Sequence, residues 1–197
     1  MHFTNRNKPA KAGKIRIIAG EYRGRRIAVP DRPGLRPTPG RVRETLFNWL
    51  GQALDGLACL DLFAGSGALG FEAASRGAAR VVMVEQDRAV FAVLQKTRDS
   101  IGARQVQVVL DDALGYLKRT TERFDVVFLD PPFGQNALPA VFRYLRPQQG
   151  TLVYVESSEP FAAGEAWREL KRARAGQVSY QLLEWRGDDQ GGVPGDV

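Results

Sequence analysis

Short apolar runs alternate along the chain with apolar residues at helical spacing. The runs predict β-strands near residues 58–63, 80–85, 106–110, 124–129 and 150–156. Apolar residues three or four positions apart predict helices near residues 67–76, 87–100, 113–120 and 137–145. Because strands that alternate with helices form parallel sheets, we predict an α/β fold with helices on both faces of the sheet. Ligands of such folds bind above the carboxyl ends of the strands.

The segments on either side of this alternation carry other patterns. Apolar residues on one helical face follow Thr38, which can cap a helix, and Pro39, which suits a first helical turn. The runs at residues 167–175 and 178–185 predict a closing antiparallel pair of strands, and residues 14–30 predict a hairpin around a glycine-bounded turn. We therefore predict a basic N-terminal arm with a β-hairpin in residues 1–36, a main domain in residues 37–186 and a disordered tail in residues 187–197.

A glycine motif follows the first predicted strand of the sheet. Gly65, Gly67 and Gly70 have the spacing G-x-G-x-x-G, which lets the chain turn tightly and lets a ligand approach the backbone. The next strand ends at Glu85, twenty residues past Gly65, where a carboxylate can bind both hydroxyls of a ribose. A pyrophosphate cofactor stays possible, but Asp61 would repel its phosphates. Asp61 therefore favours a positively charged cofactor such as S-adenosylmethionine.

A second motif, Asp130-Pro131-Pro132-Phe133, follows the fourth predicted strand of the sheet. Proline lacks an N–H and pushes the preceding residue towards extended geometry, so the carbonyls of Asp130 and Pro131 are held rigidly. One carboxylate, fixed carbonyl acceptors and a flat apolar ring suit an amino group on a planar ring. The structural alternative is a strand that runs into a Pro-Pro turn, with Phe133 in the core.

The composition excludes several classes of site. Cys59 is the only cysteine and lies in a predicted buried strand, and His2 is the only histidine. A histidine-based triad and a Cys/His zinc site are therefore excluded, and catalysis through a cysteine adduct is disfavoured. No apolar segment approaches the roughly 18 to 20 residues that cross a bilayer, and residues 1–6 lack the apolar stretch of a signal peptide. We expect a cytoplasmic protein without a bound metal or membrane contact.

The chain has a formal net charge of +6, and its charges are distributed unevenly along the sequence. Residues 1–43 carry twelve lysines and arginines but only two acidic residues, which leaves the rest of the chain slightly acidic. We predict that the arm binds nucleic-acid phosphates through Lys8, Lys11, Lys14, Arg16, Arg23, Arg25 and Arg26. The alternative is a solvated basic tail on a structural hairpin, in which case the RNA surface would lie around Arg36, Arg41 and Arg43.

Three groups of segments make the chain similar to a known family. They are GEYRGR at residues 20–25, then GLRPT at 34–38 with RVRETLFNWL at 41–50, and DLFAGSG at 61–67 with DPPF at 130–133. Between Ile17 and Trp185 the chain resembles the bacterial 16S ribosomal RNA guanine-N2 methyltransferases of the ribosomal RNA small subunit methyltransferase D family. The resemblance implies a Rossmann-like class I S-adenosylmethionine-dependent methyltransferase fold. Its sheet is seven-stranded and mostly parallel with an antiparallel last strand, and residues 37–186 form the methyltransferase domain.

The resemblance also implies roles for individual residues. Gly65, Ser66 and Gly67 would line the methionine part of S-adenosylmethionine, and Glu85 would hold its ribose. Asp112 would contact the adenine amino group, with Asp111 as its rival and helix capping as the structural alternative for both. Further cofactor contacts are implied at Thr38, Asp61, Phe63 and Ala113.

The implied substrate is the exocyclic N2 amine of a guanine in 16S ribosomal RNA or in the small-subunit ribonucleoprotein particle, modified by a monomer. Asp130 would accept one N–H, a backbone carbonyl near Pro131 and Pro132 would accept the other, and Phe133 would stack on the base. Alignment can lower a barrier by roughly 7 to 11 kcal/mol, more than the 10²- to 10⁴-fold of a general base, so we assign Asp130 chiefly to orientation. Adenine N6 or cytosine N4 stays open as the target, as do a nicotinamide oxidoreductase and a non-catalytic RNA-binding protein.

Overall fold

The computed structural model describes residues 13–30, 32, 35, 37–132 and 136–187, and within them the chain forms nine strands and five helices. The strands are β1 (Gly13–Arg16), β2 (Arg26–Val29), β3 (Ala58–Asp61), β4 (Arg80–Glu85), β5 (Val106–Leu110), β6 (Val126–Leu129), β7 (Leu152–Ser157), β8 (Trp167–Ala175) and β9 (Val178–Trp185). The helices are α1 (Gly40–Trp49), α2 (Ala68–Ser75), α3 (Arg88–Ile101), α4 (Ala113–Arg119) and α5 (Leu138–Tyr144). The predicted alternation of strand and helix is present.

Seven of the strands form one sheet in the order β5-β4-β3-β6-β7-β9-β8. The neighbours from β5 to β7 are parallel, and β9 is antiparallel to both β7 and β8. This arrangement confirms the Rossmann-like class I fold with an antiparallel last strand and an N-terminal hairpin. Because β3 and β6 are neighbours, the direction of winding reverses between them, and ligands bind above the strand ends at such a reversal. Asp61 ends β3 and Asp130 follows β6 at this point.

Alternate residues of each central strand pack against opposite layers of helices. Cys59 and Phe128 belong to the apolar layer that contains residues of α1, α2 and α3, whereas Leu60 and Leu129 face α4 and α5. The same alternation places Tyr154 in the first layer. A strand has a side-chain period of two, so residues of one strand that lie two apart share a face. Side chains just past the strand ends are expected to continue this alternation at the edge of the sheet where ligands bind.

The hairpin of β1 and β2 is attached to the C-terminal end of α2. Ser75 accepts two hydrogen bonds there from backbone amides. The Glu21 amide donates to the Ser75 carbonyl oxygen (2.7 Å), and the Tyr22 amide donates to the Ser75 hydroxyl oxygen (2.9 Å). A Cβ atom on Gly20, which has φ +80°, would lie 1.6 Å from the Ser75 carbonyl oxygen. The hairpin turn therefore needs a glycine at this position, both for its backbone conformation and for the close approach to α2.

Glu72 of α2 joins the hairpin to two other parts of the structure. Its side chain is fully buried and accepts hydrogen bonds from the backbone amides of Ile18 (2.9 Å) and Ala19 (3.1 Å). It also pairs with Arg43 of α1 (3.3 Å) and with Arg76 (2.9 Å). A buried carboxylate needs such partners to offset the loss of water. Two backbone donors and two guanidinium groups therefore make Glu72 the shared attachment point of hairpin, α1 and α2.

The structure also bears on three further expectations from the sequence. The helix after Thr38 begins at Gly40 and has no side-chain cap, so the predicted capping role of Thr38 is wrong. Cys59 is buried, and its burial raises the pKa of the thiol to about 12. None of the helices in the described part of the chain is long and apolar enough to span a bilayer. The tail from residue 188 lies outside the described residues, and the division into three segments stays a prediction.

Candidate active site

The three glycines of the motif have different surroundings. Gly65 (φ +50°) and Gly67 (φ +76°) both have backbone conformations that side chains disfavour. A Cβ on Gly67 would come within 2.7 Å of the Phe71 ring, and a Cβ on Gly70 within 2.7 Å of Met83 Cγ. Among the described residues, a Cβ on Gly65 would meet no atom closer than 3.8 Å. Gly67 and Gly70 thus allow α2 to pack, while Gly65 is the member of the motif with room beside its backbone.

Glu85 connects the glycine turn to the end of β4. Its Oε2 accepts a hydrogen bond from the Gly65 amide (3.0 Å), and its Oε1 accepts one from the Asp87 amide (2.7 Å). Burial raises the pKa of the carboxyl group, and these two amide donors oppose the rise. Gly65 and Glu85, twenty positions apart in the sequence, are therefore in direct contact, and the Glu85 carboxylate lies beside the glycine turn. Binding of a ribose by Glu85 stays a prediction.

Asp61 lies beneath the same turn. Asp61 is 2% exposed, and its Oδ2 accepts a hydrogen bond from the Gly70 amide in the first turn of α2 (2.9 Å). Burial raises the pKa of Asp61 to about 7, opposed by the Gly70 amide and reinforced by the charges of Asp130 and Glu85. Asp61 thus has a structural role as an acceptor at the start of a helix. Contact with a cofactor stays a prediction.

Asp130 lies between β6 and the segment that leads into α1. The Thr38 hydroxyl donates to Asp130 Oδ2 at 3.4 Å, so the two residues meet although 92 positions separate them. Burial raises the pKa of Asp130 to about 6, and the Thr38 hydroxyl opposes the rise. Pro131 is half-buried and Pro132 is exposed. Phe133 lies outside the described residues, so its predicted stacking on a base stays a prediction.

The two acids after β5 both have structural partners. Asp112 precedes α4, and its Oδ1 accepts a hydrogen bond from the Gly115 amide (2.8 Å). Asp111 accepts a bond from the Asp112 amide (2.9 Å) and pairs with Arg119. The capping alternative is therefore real for Asp112, while its Oδ2 forms no hydrogen bond within the described residues. Adenine binding by either residue stays a prediction.

The other predicted cofactor residues surround this edge at different depths. Ser66 is buried in the glycine turn, and Ala113 opens α4 as a half-buried residue. Phe63 is also half-buried, and it packs against the apolar layer that faces α4 and α5. The structure thus brings the cofactor candidates Thr38, Asp61, Phe63, Gly65, Ser66, Gly67, Glu85, Asp112 and Ala113 to the carboxyl edge of the sheet.

Sequence reasoning missed two polar residues of β7. Tyr154 is completely buried and donates its hydroxyl hydrogen to Glu156 Oε1 (2.8 Å). Glu156 is 7% exposed, and burial together with the charge of Asp130 raises its pKa to about 8. One signal was available, since an apolar run that ends in an acid also occurs at Asp61, Glu85 and Asp130.

The described cations of the arm face solvent. Lys14, Arg16, Arg23, Arg25 and Arg26 are all exposed, whereas Lys8 and Lys11 lie outside the described residues. Phosphate binding by these side chains stays a prediction.

The alternative RNA surface around helix α1 is not a uniform group of free cations. Arg41 is exposed, Arg36 lies outside the described residues, and Arg43 is 4% exposed and paired with Glu72. Including Arg43 in that surface was therefore wrong, because its guanidinium group supports the attachment of the hairpin.

Comparison with known proteins gives a consistent result. The model of a family described as Conserved hypothetical protein 95 matches residues 15–184. Ribosomal RNA small subunit methyltransferase D of Escherichia coli (strain K12) is 43% identical over 180 residues, which cover 88% of this chain and 91% of that protein. The protein of the same name from Haemophilus influenzae is 42% identical over 186 residues, covering 89% and 96%. The solved Escherichia coli protein yhhF superposes with a TM-score of 0.81 at 38% identity, over 89% of this chain and 100% of that one. The chain therefore belongs to the ribosomal RNA small subunit methyltransferase D family.

Proposed function

We propose that this protein transfers the methyl group of S-adenosylmethionine to the exocyclic N2 amine of a guanine in 16S ribosomal RNA. The observation that carries the proposal is the position of Asp130, which follows β6 at the winding reversal of the sheet, accepts a hydrogen bond from Thr38 and lies close enough to Asp61 for its charge to raise the pKa of that residue. A partly buried carboxylate at this edge can accept a hydrogen bond from the target amine and so orient it for methyl transfer.

The residues of the edge fit S-adenosylmethionine. The turn at Gly65 leaves room for a ligand against its backbone. Glu85 accepts one backbone hydrogen bond at each oxygen, which leaves lone pairs for ribose hydroxyls. The negative charges of Asp130 and Glu85 favour a cationic ligand at this edge. When bound, S-adenosylmethionine would supply an electrophilic methyl group on a positively charged sulfur.

Asp130 would act on the amine in two ways. The lone pair of guanine N2 is delocalised into the ring, so the site must favour a pyramidal amine with its lone pair directed at the methyl group. The Asp130 carboxylate, oriented by Thr38, would accept one N–H, and the carbonyl oxygen of Pro131 would accept the other. As the N–C bond forms, positive charge develops on the amine, and Asp130 stabilises this charge before it takes the proton.

The arm would hold the RNA while the base enters the site. The exposed cations Lys14, Arg16, Arg23, Arg25 and Arg26 occupy a hairpin that is fixed to α2 by Ser75 and Glu72. Phosphate contacts position an RNA without reading its sequence. A target base must be unpaired or turned out of its stack before its amine can reach Asp130. We therefore assign RNA positioning to the hairpin and methyl transfer to the edge of the sheet.

The test is transfer of an isotopic methyl group to 16S ribosomal RNA, followed by mass-spectrometric mapping of the modified nucleotide. Free RNA and small-subunit particles lacking the modification are compared as substrates. We expect label on guanine N2 at one position. Label on adenine N6 or cytosine N4 would replace guanine with the alternative targets. No transfer to either substrate, together with thermal stabilisation by NADH and none by S-adenosylhomocysteine, would favour an oxidoreductase.

A further inference from the structure

A polar cluster interrupts the apolar layer at the end of β7. Tyr154 is completely buried and donates to Glu156, and Glu156 lies opposite Tyr180 of β9 in the strand register. Tyr180 is itself 5% exposed and stacks on Trp49 of α1. A carboxyl group in this layer loses its hydration, which costs free energy unless other groups compensate. The position of Glu156 therefore calls for a role beyond packing.

Strand register places Glu156 beside Asp130. Leu129 of β6 pairs with Val155 of β7, so the next residues along the two parallel strands are Asp130 and Glu156. Neighbouring strands lie about 4.8 Å apart, and side chains alternate between faces. Continued alternation puts both carboxyl groups on the face of Phe128 and Tyr154. This is the face covered by α1, and Thr38 enters it from the segment before that helix.

The described groups around Glu156 include no cation. Asp130 faces it from β6, Tyr154 from its own strand and Tyr180 from β9. Within the described part of the chain no lysine or arginine forms an ion pair with Glu156 or Asp130. Two neighbouring carboxyl groups without a cation do not both ionise readily, so such a pair retains one proton. Burial raises the pKa of both groups, and the charge of Asp130 raises the pKa of Glu156 further.

We propose that Glu156 is a positioning residue that holds the single proton of a carboxyl pair with Asp130, so that Asp130 faces the target amine as the only anion. The inference rests on the proposed function for the role of Asp130. During transfer the new N–C bond forms as the S–C bond breaks, and the amine gives one proton to the Asp130 carboxylate. Both carboxyl groups are then neutral, and the pair returns one proton to water before the next cycle.

The first test needs no RNA. In protein labelled with ¹³C at glutamate Cδ, the Glu156 signal is identified by its absence in Glu156→Gln and is followed by NMR as the pH changes. We expect a transition near pH 8 in the wild type. In Asp130→Asn the transition should fall by about one pH unit or more, because the neighbouring charge is removed. Glu165→Gln, a change at an exposed residue, is the control. An identical transition in wild type and Asp130→Asn would overturn the proposal.

The second test measures single-turnover methyl transfer to 16S ribosomal RNA between pH 6 and pH 9. We expect the wild-type rate to fall above about pH 8, because an ionised Glu156 repels Asp130 from its bond with Thr38. Glu156→Gln, neutral and similar in shape, should lose this decline, while Glu165→Gln keeps it. A decline that persists in Glu156→Gln, or its absence in the wild type, would overturn the proposal. No transfer by the wild type would instead count against the proposed function and leave the NMR result intact.

Discussion

At the scale of single residues, Asp61 combines a structural and an electrostatic role. Its carboxyl group is enclosed beneath the glycine turn and bonded to the Gly70 amide. The pKa of Asp61 rises to about 7, chiefly because burial disfavours the charged form. The folded state therefore binds this proton more tightly than the unfolded chain does. The stabilisation is complete below the ordinary pKa of an aspartate, near 4, and is lost as the pH rises through about 7.

Asp61→Asn should make stability less dependent on pH. Asparagine keeps an oxygen for the Gly70 amide but cannot ionise. Between pH 5 and pH 8 we expect the free energy of unfolding of the wild type to fall relative to that of the variant by up to about 3 kcal/mol, at about 1.4 kcal/mol per pKa unit. Urea unfolding at both pH values measures the difference. Wild type and Asp61→Asn losing equal stability over this range would contradict the assignment.

Asp130→Ala should separate chemistry from cofactor binding. Because the carboxylate is proposed to act on the amine, we expect single-turnover methyl transfer to 16S ribosomal RNA to slow by about 100-fold or more. The affinity for S-adenosylhomocysteine, measured by calorimetry, should stay nearly unchanged. Glu165→Ala, at an exposed position, serves as the control for both measurements. A rate within threefold of the wild type would remove Asp130 from the mechanism.

At the scale of elements, the hairpin is basic outside and firmly attached inside. Its exposed arginines point into solvent, while Ile17 and Ile27 are buried in the layer that contains α1 to α3. Tyr22, next to these arginines, is 6% exposed and donates to Gln105 (3.3 Å), so it is not free to stack on a base. A rigid support lowers the entropic cost of placing charges on RNA.

Replacing Arg23, Arg25 and Arg26 together by serine should weaken RNA binding and its salt dependence. Each lost phosphate contact lowers the log-log salt slope by about 0.7 to 0.9, so we expect a total decrease of about two to three. Binding of a 16S ribosomal RNA fragment is titrated at several salt concentrations. The matched control removes three exposed arginines from β8, Arg168, Arg172 and Arg174, each of which pairs with a glutamate. Equal losses in the two variants would indicate a general charge effect rather than an RNA surface on the hairpin.

Glu72→Gln should loosen the hairpin without removing its charges. The change leaves Arg43 and Arg76 without their buried anion, and breaking a buried ion pair costs about 3 to 5 kcal/mol. We expect a loss of this order in urea unfolding and faster hydrogen exchange at the amides of Ile18 and Ala19. Glu122→Gln, which breaks the partly exposed pair with Arg80, should cost about 1 kcal/mol or less. Unchanged exchange at both amides would show that other contacts hold the hairpin.

At the scale of the whole molecule, the reversal of winding between β3 and β6 gathers acids from distant parts of the chain. Asp61, Glu85, Asp130 and Glu156 each lie within one residue of the end of a strand of the same sheet. Their mutual repulsion contributes to the raised pKa values of Asp61 and Glu156. A cationic ligand at this edge relieves that repulsion, so ligand binding and stability should be linked.

S-adenosylhomocysteine should raise the melting temperature of the protein. A ligand that binds only the folded state stabilises it by roughly 2.7 kcal/mol at 100 times its Kd. Glu85→Ala should remove most of this shift, because it deletes the proposed ribose acceptor and frees the Gly65 amide. Glu165→Ala should keep it. A full shift in Glu85→Ala would move the ligand away from the glycine turn.

The sequence predicted most of the fold because strands, helices and glycine turns leave local patterns. Buried strands appear as apolar runs, and the spacing of Gly65 and Glu85 corresponds to a bond between them. The pairing of Thr38 with Asp130 has no local pattern, since it depends on where α1 lies over the sheet. Glu156 was missed for a similar reason, because its proximity to Asp130 follows from the order of β6 and β7. Arg43 was assigned to the surface because the sequence around an arginine does not show whether a buried acid pairs with it in the fold.

Helix α2 connects the glycine turn to the hairpin. All eight of its residues are buried. It starts directly after Gly67 of the glycine turn and ends at Ser75, which holds the hairpin. If this buried helix responds as one body, a ligand that shifts or stiffens one end would change the free energy of binding at the other. By thermodynamic reciprocity, RNA on the hairpin and cofactor at the turn would alter each other's equilibrium affinity by the same factor.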